Sequence, residues 1–407
     1  MHGLVGSWEG RGLGRRPVRV IAAALAAAMI VVGCGGGGSH DSAAGPAGEK
    51  REPAKSSAAP ASATVTPADG ASGVRPDTTV RINAMGGTLT SVTVIDGDGT
   101  AVSGAISTDS TRWTATALLA PGSRYTVRAA VTDAHGRTVR STASFSTLKV
   151  PRDKQLKASS IAPLAGSVAG VAQPLAVGFN APVSNRAAVQ NALRVESTPP
   201  VRGAWYWIDS EHVHFRPQAF WPAGTKVTLR AQIQGVDAGN GRWGAANRTI
   251  SYTIARRQII NVDVKSLRMT VERSGKVIKR FRVTSGKRGW ETRNGVKVVM
   301  DKVTDKTWTN ESIDAPEEYE LHSDWAMRMT DSGEFIHDAP WSLGNLGERS
   351  ASHGCVGMRP ADAKWLFANT LIGDPIVVTG SPRPYNDLAN RYADWNVPWA
   401  KWSAGNA

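Results

Sequence analysis

Ser352-His353-Gly354-Cys355-Val356-Gly357, read with Phe335-Ile336-His337-Asp338-Ala339-Pro340-Trp341 upstream, decides what the C-terminal part of this chain is. A glycine directly before a cysteine lets the backbone approach a substrate closely and lets neighbouring N–H groups converge on one spot. A cysteine flanked by histidine fits a thiol nucleophile, provided a base assists its ionisation. His337 stands 15 residues before Ser352. On an adjacent strand or loop it comes within reach of Cys355.

The two cysteines of the chain stand in very different surroundings. The chain has 407 residues and 2 cysteines, too few and too far apart for a disulfide framework. Each cysteine therefore needs its own explanation. Arg11, Arg15, Arg16 and Arg19 form a basic stretch ahead of an apolar run from Val20 to Val32, the pattern of an export signal. That run has 13 residues, whereas a spanning helix needs about 20. It ends Val31-Val32-Gly33-Cys34, which resembles a bacterial lipobox, with Cys34 as the residue to be lipidated. Residues 35–62 are rich in Gly, Ala, Ser and Pro. Such a composition is expected to bury too little apolar surface to order itself, and a flexible tether of that length would reach roughly 30 Å.

Short β-rich runs separated by turn signals fill the next 200 residues. Thr79 to Ile82, Leu89 to Ile95, Trp113 to Ala115 and Tyr125 to Val127 occur in the first block, with Gly97-Asp98-Gly99 between two of them. Pro174 to Phe179, His212 to Phe215 and Lys226 to Leu229 repeat the theme in the second. Such spacing predicts two antiparallel sandwiches of immunoglobulin type. His212 and His214 share one strand face, but no third ligand stands near them in sequence, so the expectation is no metal site. The loop Asp237-Ala238-Gly239-Asn240-Gly241 offers at most a weak cation contact. From residue 258 the texture changes. Ile259 to Val264 and Leu267 to Val271 flank a turn, and only Pro360 to Leu371 has helical character. The indoles of Trp395, Trp399 and Trp402 are expected to fold back onto the body.

His337, fourteen intervening residues and then Ser352-His353-Gly354-Cys355 resemble the signature of the L,D-transpeptidases, whose catalytic domain is called YkuD-type. The whole layout (lipobox, two sandwiches, catalytic domain, Trp-rich tail) is similar to the large actinobacterial, mycobacterial-type members. The expected fold is thus mainly β: a signal peptide at 1–33, a linker at 34–62 and immunoglobulin-like domains at 63–150 and 151–257. A β-rich catalytic domain with one short helix follows at 258–381, and a tail packs back at 382–407. The resemblance implies that Cys355 is the nucleophile, His337 the base and then the acid, and the Asp338 carbonyl the group that orients the imidazole. It implies backbone N–H groups of His353, Gly354 and Cys355 for the oxyanion, and a substrate site including Tyr319, Ser332, Gly333, Trp341 and Ser352.

It also implies the reaction. A donor tetrapeptide stem of peptidoglycan loses D-alanine, and the acyl group passes to the side-chain amine of a second stem as a 3→3 cross-link. No cofactor or metal is needed, and carbapenem-type β-lactams are the expected acylating inhibitors. The alternatives are an L,D-carboxypeptidase, with water as acceptor, or a catalytically weakened wall-binding lipoprotein. The chain departs from the pattern at Gly357, where Asn or Arg is usual near the substrate, and at Thr309, where a second lid tyrosine is usual. On this reading Gly357→Asn leaves activity unchanged or improves it.

The net charge of +14 is unevenly placed. Residues 34–257 carry 24 basic and 14 acidic side chains, against 20 and 19 in residues 258–407. A nucleic-acid partner does not fit an exported chain. The expected location is the outer face of the cytoplasmic membrane, lipid-anchored and facing the wall.

Overall fold

The computed structural model describes residues 60–407; the expected signal segment, Cys34 and most of the expected linker lie outside the described residues. The described part is predominantly β, and its strands form two sandwiches followed by a third β-rich domain.

In the first sandwich Ser62–Thr66, Arg81–Met85, Arg112–Ala115 and Gly104–Ile106 lie side by side. They face a sheet of Thr88–Asp96, Arg124–Thr132 and Thr138–Ser146. Alternation puts Tyr125, Val127 and Phe145 inward with Trp113, and the rings of Tyr125 and Phe145 stack at 5.2 Å. Ala61 is already part of this core, so the sandwich begins slightly before the expected residue 63. The second sandwich sets Gly203–Trp207, His212–Pro217, Leu175–Phe179 and Ala158–Ala162 over Val168–Ala169, Arg248–Ile254, Lys226–Ala231 and Leu193–Thr198. Its core is built on Trp207, Phe215 and Trp221.

The third domain holds a five-stranded sheet in the order Lys276–Arg282, Arg268–Arg273, Gln258–Asp263, Pro375–Thr379, Gly295–Val298. Against it packs a four-stranded sheet of Asp301–Thr309, Glu320–Arg328, Phe335–Asp338 and Val356–Met358. The core between them includes Ile260, Val262, Met327, Ile336, Val356 and Met358. The helix Pro360–Asn369 starts with proline at its first turn, where a missing N–H costs nothing. It buries Ala363 and Leu366 in the same core. Two further short helices, Arg186–Asn191 and Trp399–Ala404, were not expected from the sequence. Six residues give too little periodicity to read.

The tail runs from the third domain back to the second sandwich. Asn396 exchanges hydrogen bonds with the Val296 backbone, at 2.8 Å from its N–H and 2.7 Å to its carbonyl. Trp395 Nε1 donates to Ala172 O at 2.7 Å. Farther along, Trp402 stacks on Tyr206 at 4.9 Å. The Arg216 guanidinium lies over the rings of Trp395, Trp399 and Trp402, at 5.0, 5.3 and 4.7 Å. Burial pulls that guanidinium down to about 10, still charged at neutral pH. His214 Nδ1 meets the buried Asp394 at 3.0 Å, and His212 meets Asp209 at 2.8 Å. Both imidazoles thus face carboxylates, and Asp237 pairs with Arg75 of the first sandwich at 3.1 Å.

Candidate active site

A cavity of about 490 Å³ opens beside the four-stranded sheet, and both Cys355 and His337 line it. The topology explains their meeting. Phe335–Asp338 and Val356–Met358 pair in parallel, with Ile336 opposite Val356 and His337 opposite Gly357. Cys355 immediately precedes its strand, so the thiol sits at the strand entrance next to the imidazole's strand. The thiol itself is directed at Gly333 O, at 3.7 Å.

His337 is held on one nitrogen. Its Nδ1 lies 2.7 Å from Asp338 O and 3.1 Å from Ser323 Oγ. A carbonyl oxygen only accepts, so Nδ1 carries the proton and Nε2 keeps its lone pair. The Asp338 carboxylate is turned elsewhere and accepts the Trp325 N–H at 2.8 Å. Aromatic rings wall the imidazole, Trp308 at 4.7 Å and Trp341 at 5.8 Å. Burial lowers the His337 pKa, opposed by the Asp338 backbone bond. Burial pushes the Cys355 thiol up to about 12, opposed by a backbone bond from Phe335 and by the charge of Lys297. The resting pair at neutral pH is therefore neutral thiol and neutral imidazole, and a base must take the thiol proton as it attacks.

The loop before Cys355 is fastened from several sides. Ser352 Oγ donates to Cys355 O at 2.6 Å and accepts the Gly354 N–H at 3.2 Å. Thr292 Oγ1 donates to Gly354 O at 2.8 Å. Gly354 has φ +122°, open to glycine and strained for any other residue, and an added Cβ would lie 3.4 Å from Glu334 Cγ. Glu334 is buried beneath it, 3.0 Å from both Arg293 and Lys297. Above the loop, Tyr319 stacks on the His353 ring at 5.5 Å, and Trp290 meets its edge at 5.0 Å. His353 Nε2 contacts Glu317 at 3.1 Å, and Glu317 also pairs with Lys287.

The cavity lining thus includes Tyr319, Ser332, Gly333, Trp341, Ser352 and His353 as well as the central pair. Ser332 is pinned from the tail: its N–H donates to Asn390 Oδ1, and Asn390 Nδ2 donates to its Oγ, both at 2.8 Å. Asp338 acts through its backbone, and the Gly354 N–H is committed to Ser352.

Gly357 requires correction. It does not line the cavity. Its N–H and C=O are both bonded to Thr284 at 3.0 Å, and a Cβ added there would lie 2.8 Å from Thr284 Cγ2 and 3.1 Å from Ala339 Cβ. The position faces packed protein, so glycine serves strand contact, and the expected benefit of Gly357→Asn does not hold. Overpacking of this kind costs about 1–3 kcal/mol. Gly357→Asn is accordingly expected to lower the melting temperature, with Gly357→Ala lowering it less. An unchanged melting temperature for Gly357→Asn would refute the packing account.

The residues missed in the sequence are Trp308, Ser323, Arg328 and the buried Glu334–Lys297 pair. Trp308 bears on the absent lid tyrosine. Thr309 stands where that tyrosine was expected, and the neighbouring Trp308 supplies an aromatic wall to the cavity. Alternation along the strand was the available signal. Ser323 carried none.

Comparison with known proteins identifies the family. The model of the L,D-transpeptidase catalytic domain matches residues 257–378, and that of a bacterial Ig domain matches residues 71–237. L,D-transpeptidase 2 of Mycobacterium tuberculosis (strain CDC 1551 / Oshkosh) is 33% identical over 348 residues, 84% of this chain and 84% of its own. The chain belongs to the L,D-transpeptidase family. L,D-transpeptidase 5 of Mycobacterium tuberculosis (strain ATCC 25618 / H37Rv) is 32% identical over 84% of this chain and 76% of its own length. The solved structure of the L,D-transpeptidase LdtMt1 in complex with imipenem is 29% identical. It covers 56% of this chain and 99% of that one, with a TM-score of 0.49. As an L,D-transpeptidase the chain is an acyltransferase of peptidoglycan, with Ig-like domains ahead of its catalytic domain.

Proposed function

We propose that the reaction runs through a thioester on Cys355 and yields 3→3 cross-links. The observation that carries this reading is the single tautomer imposed on His337, which leaves Nε2 as a base in the cavity that holds the thiol. Cys355 Sγ attacks the carbonyl between the diamino acid and D-alanine of a donor stem, and its proton passes to His337 Nε2. Collapse of the tetrahedral species breaks the amide bond, and the same proton goes to the departing D-alanine amine. The side-chain amine of a second stem then attacks the thioester, gives its proton to His337, and the thiol is restored.

With the Gly354 N–H committed to Ser352, the oxyanion is assigned to the N–H groups of His353 and Cys355. Tyr319, Trp341 and the Ser332–Gly333 turn line the path of the stem. The strained amide of a carbapenem would be opened by the same thiol and remain attached. The reading includes lipid attachment through Cys34, motivated by the Val31-Val32-Gly33-Cys34 sequence. A Cys34→Ala chain that still fractionates with membranes would refute that part.

Muropeptide mass spectrometry of cells carrying this chain or its Cys355→Ala variant tests the reaction. Dimers joined 3→3, present only with the unaltered chain, are expected. Tripeptides without dimers would replace the transpeptidase reading by a carboxypeptidase one.

A further inference from the structure

Ser323 belongs to none of the roles assigned so far, yet its hydroxyl sits where the orientation of His337 is decided. It lies on the strand Glu320–Arg328 and is fully buried. Its Oγ makes three contacts: it donates to Asp338 O at 2.7 Å, receives Trp308 Nε1 at 2.8 Å, and meets His337 Nδ1 at 3.1 Å. A hydroxyl has one hydrogen and two lone pairs. The hydrogen is spent on the Asp338 carbonyl. An indole N–H only donates, so it takes one lone pair. What remains toward His337 is the second lone pair, an acceptor.

We propose that Ser323 is a positioning residue for His337, and that Trp308 sets it from the strand leading into the lid. Two acceptors, Asp338 O and Ser323 Oγ, then face Nδ1, and either one alone leaves the ring freer to tilt. The Nδ1–H form is held, and Nε2 keeps its lone pair in the cavity that Cys355 also lines. Trp308 does two things at once, since its ring also walls the imidazole and lines the cavity. A shift of the Asp301–Thr309 strand when the cavity fills would therefore be felt at the base. The titratable groups sharing the cavity with His337 are Cys355, His353, Tyr319, Lys306, Arg328 and Asp331. The hydrogen-bond partners of Nδ1 are Asp338 O and Ser323 Oγ, and the Asp338 carboxylate accepts from Trp325 instead.

The inference rests on the proposed role of His337 as base, and two measurements keep the two apart. The first is the rate of acylation by a carbapenem, followed by intact mass across pH. The base must be neutral, and its pKa is already depressed, so the unaltered enzyme loses rate as pH falls through that depressed value. Ser323→Ala removes an acceptor that favours the protonated ring. The acidic limb should move to lower pH and the plateau rate should fall about tenfold. Ser323→Thr, which keeps the hydroxyl, should restore both, and Trp308→Phe, which keeps a ring and leaves Ser323 as an acceptor, should lower the plateau without moving the limb to lower pH.

The second measurement needs no activity. Nitrogen-15 spectra of the His337 ring, assigned with His337→Gln, should show the Nδ1–H tautomer in both chains, with sharp ring signals in the unaltered one and signals broadened by ring motion in Ser323→Ala. An acylated Ser323→Ala enzyme with an unmoved limb and unbroadened ring signals would overturn the positioning role. So would equal losses in the Ala and Thr variants with the limb unmoved, which mark a merely structural serine. Failure of the unaltered chain to acylate would instead overturn the function proposed above.

Discussion

Cys355→Ala should leave a folded protein that takes up no carbapenem at all, whereas the unaltered chain gains the mass of one inhibitor molecule. The expectation rests on there being one thiol in the described residues and on its place in the cavity with His337. The side chain is partly buried, and its thiol makes a long contact to Gly333 O. Removing the sulfur therefore disturbs little: Cys behaves as a small hydrophobe when packed, and the loop stays fastened by Ser352 and Thr292.

The thiol is not a strong nucleophile at rest. Burial raises its pKa to about 12, so spontaneous thiolate is scarce at neutral pH and acylation depends on His337. This distinguishes His337→Gln from Cys355→Ala. The histidine variant keeps the sulfur but loses its base, and general acid–base assistance is typically worth about 10²–10⁴ in rate. Slow residual acylation is expected there, and none in the alanine variant. An adduct of full occupancy on Cys355→Ala would mean that another group is the nucleophile.

The legible parts of this protein and the hidden ones differ in physical kind. Strands such as Lys226–Ala231 and Leu193–Thr198 are marked by period-two alternation, because one face is buried and the other wetter. The motif around Cys355 is local, since a thiol loop needs glycine and adjacent N–H groups in one short run. His337 was legible for the same reason, as a companion at fixed spacing. Ser323, Trp308 and Glu334 meet the site through register. Ser323 approaches His337 because Glu320–Arg328 pairs with Phe335–Asp338, with Ala326 opposite His337, and nothing in the residues around Ser323 announces that pairing. Gly357 shows the reverse case, a residue correctly singled out whose side of the strand only the pairing reveals. Its neighbour Thr284 lies 73 positions away in sequence and is joined to it by an isolated bridge.

The tail, in contrast, could be read only as wanting cover, and where it goes determines the other large effect. Trp402→Ala is expected to destabilise the chain by about 3–5 kcal/mol, the usual cost of emptying a fully buried tryptophan site. Trp402 has no exposed surface. Its Nε1 donates to Ala204 O at 2.9 Å, and its ring is stacked between Tyr206 and the Arg216 guanidinium. Truncation removes the stack, leaves the Ala204 carbonyl without that donor, and uncovers one side of a buried cation whose charge persists at neutral pH.

The loss should fall on stability more than on the cavity. Between Trp402 and the active site the tail has its own anchors: Asn396 on Val296, Trp395 on Ala172, and Asn390 on Ser332. Acylation rates measured well below the transition should therefore stay within about twofold, since separated sites contribute nearly independently. Urea unfolding followed by tryptophan fluorescence measures the first quantity and carbapenem acylation the second. A destabilisation below about 1 kcal/mol would show that the end of the tail is laid on the second sandwich without supporting it. Asn390→Ala makes the complementary change. It removes both bonds to Ser332 at the cavity wall while leaving the Trp402 stack intact, so its larger effect should appear in acylation.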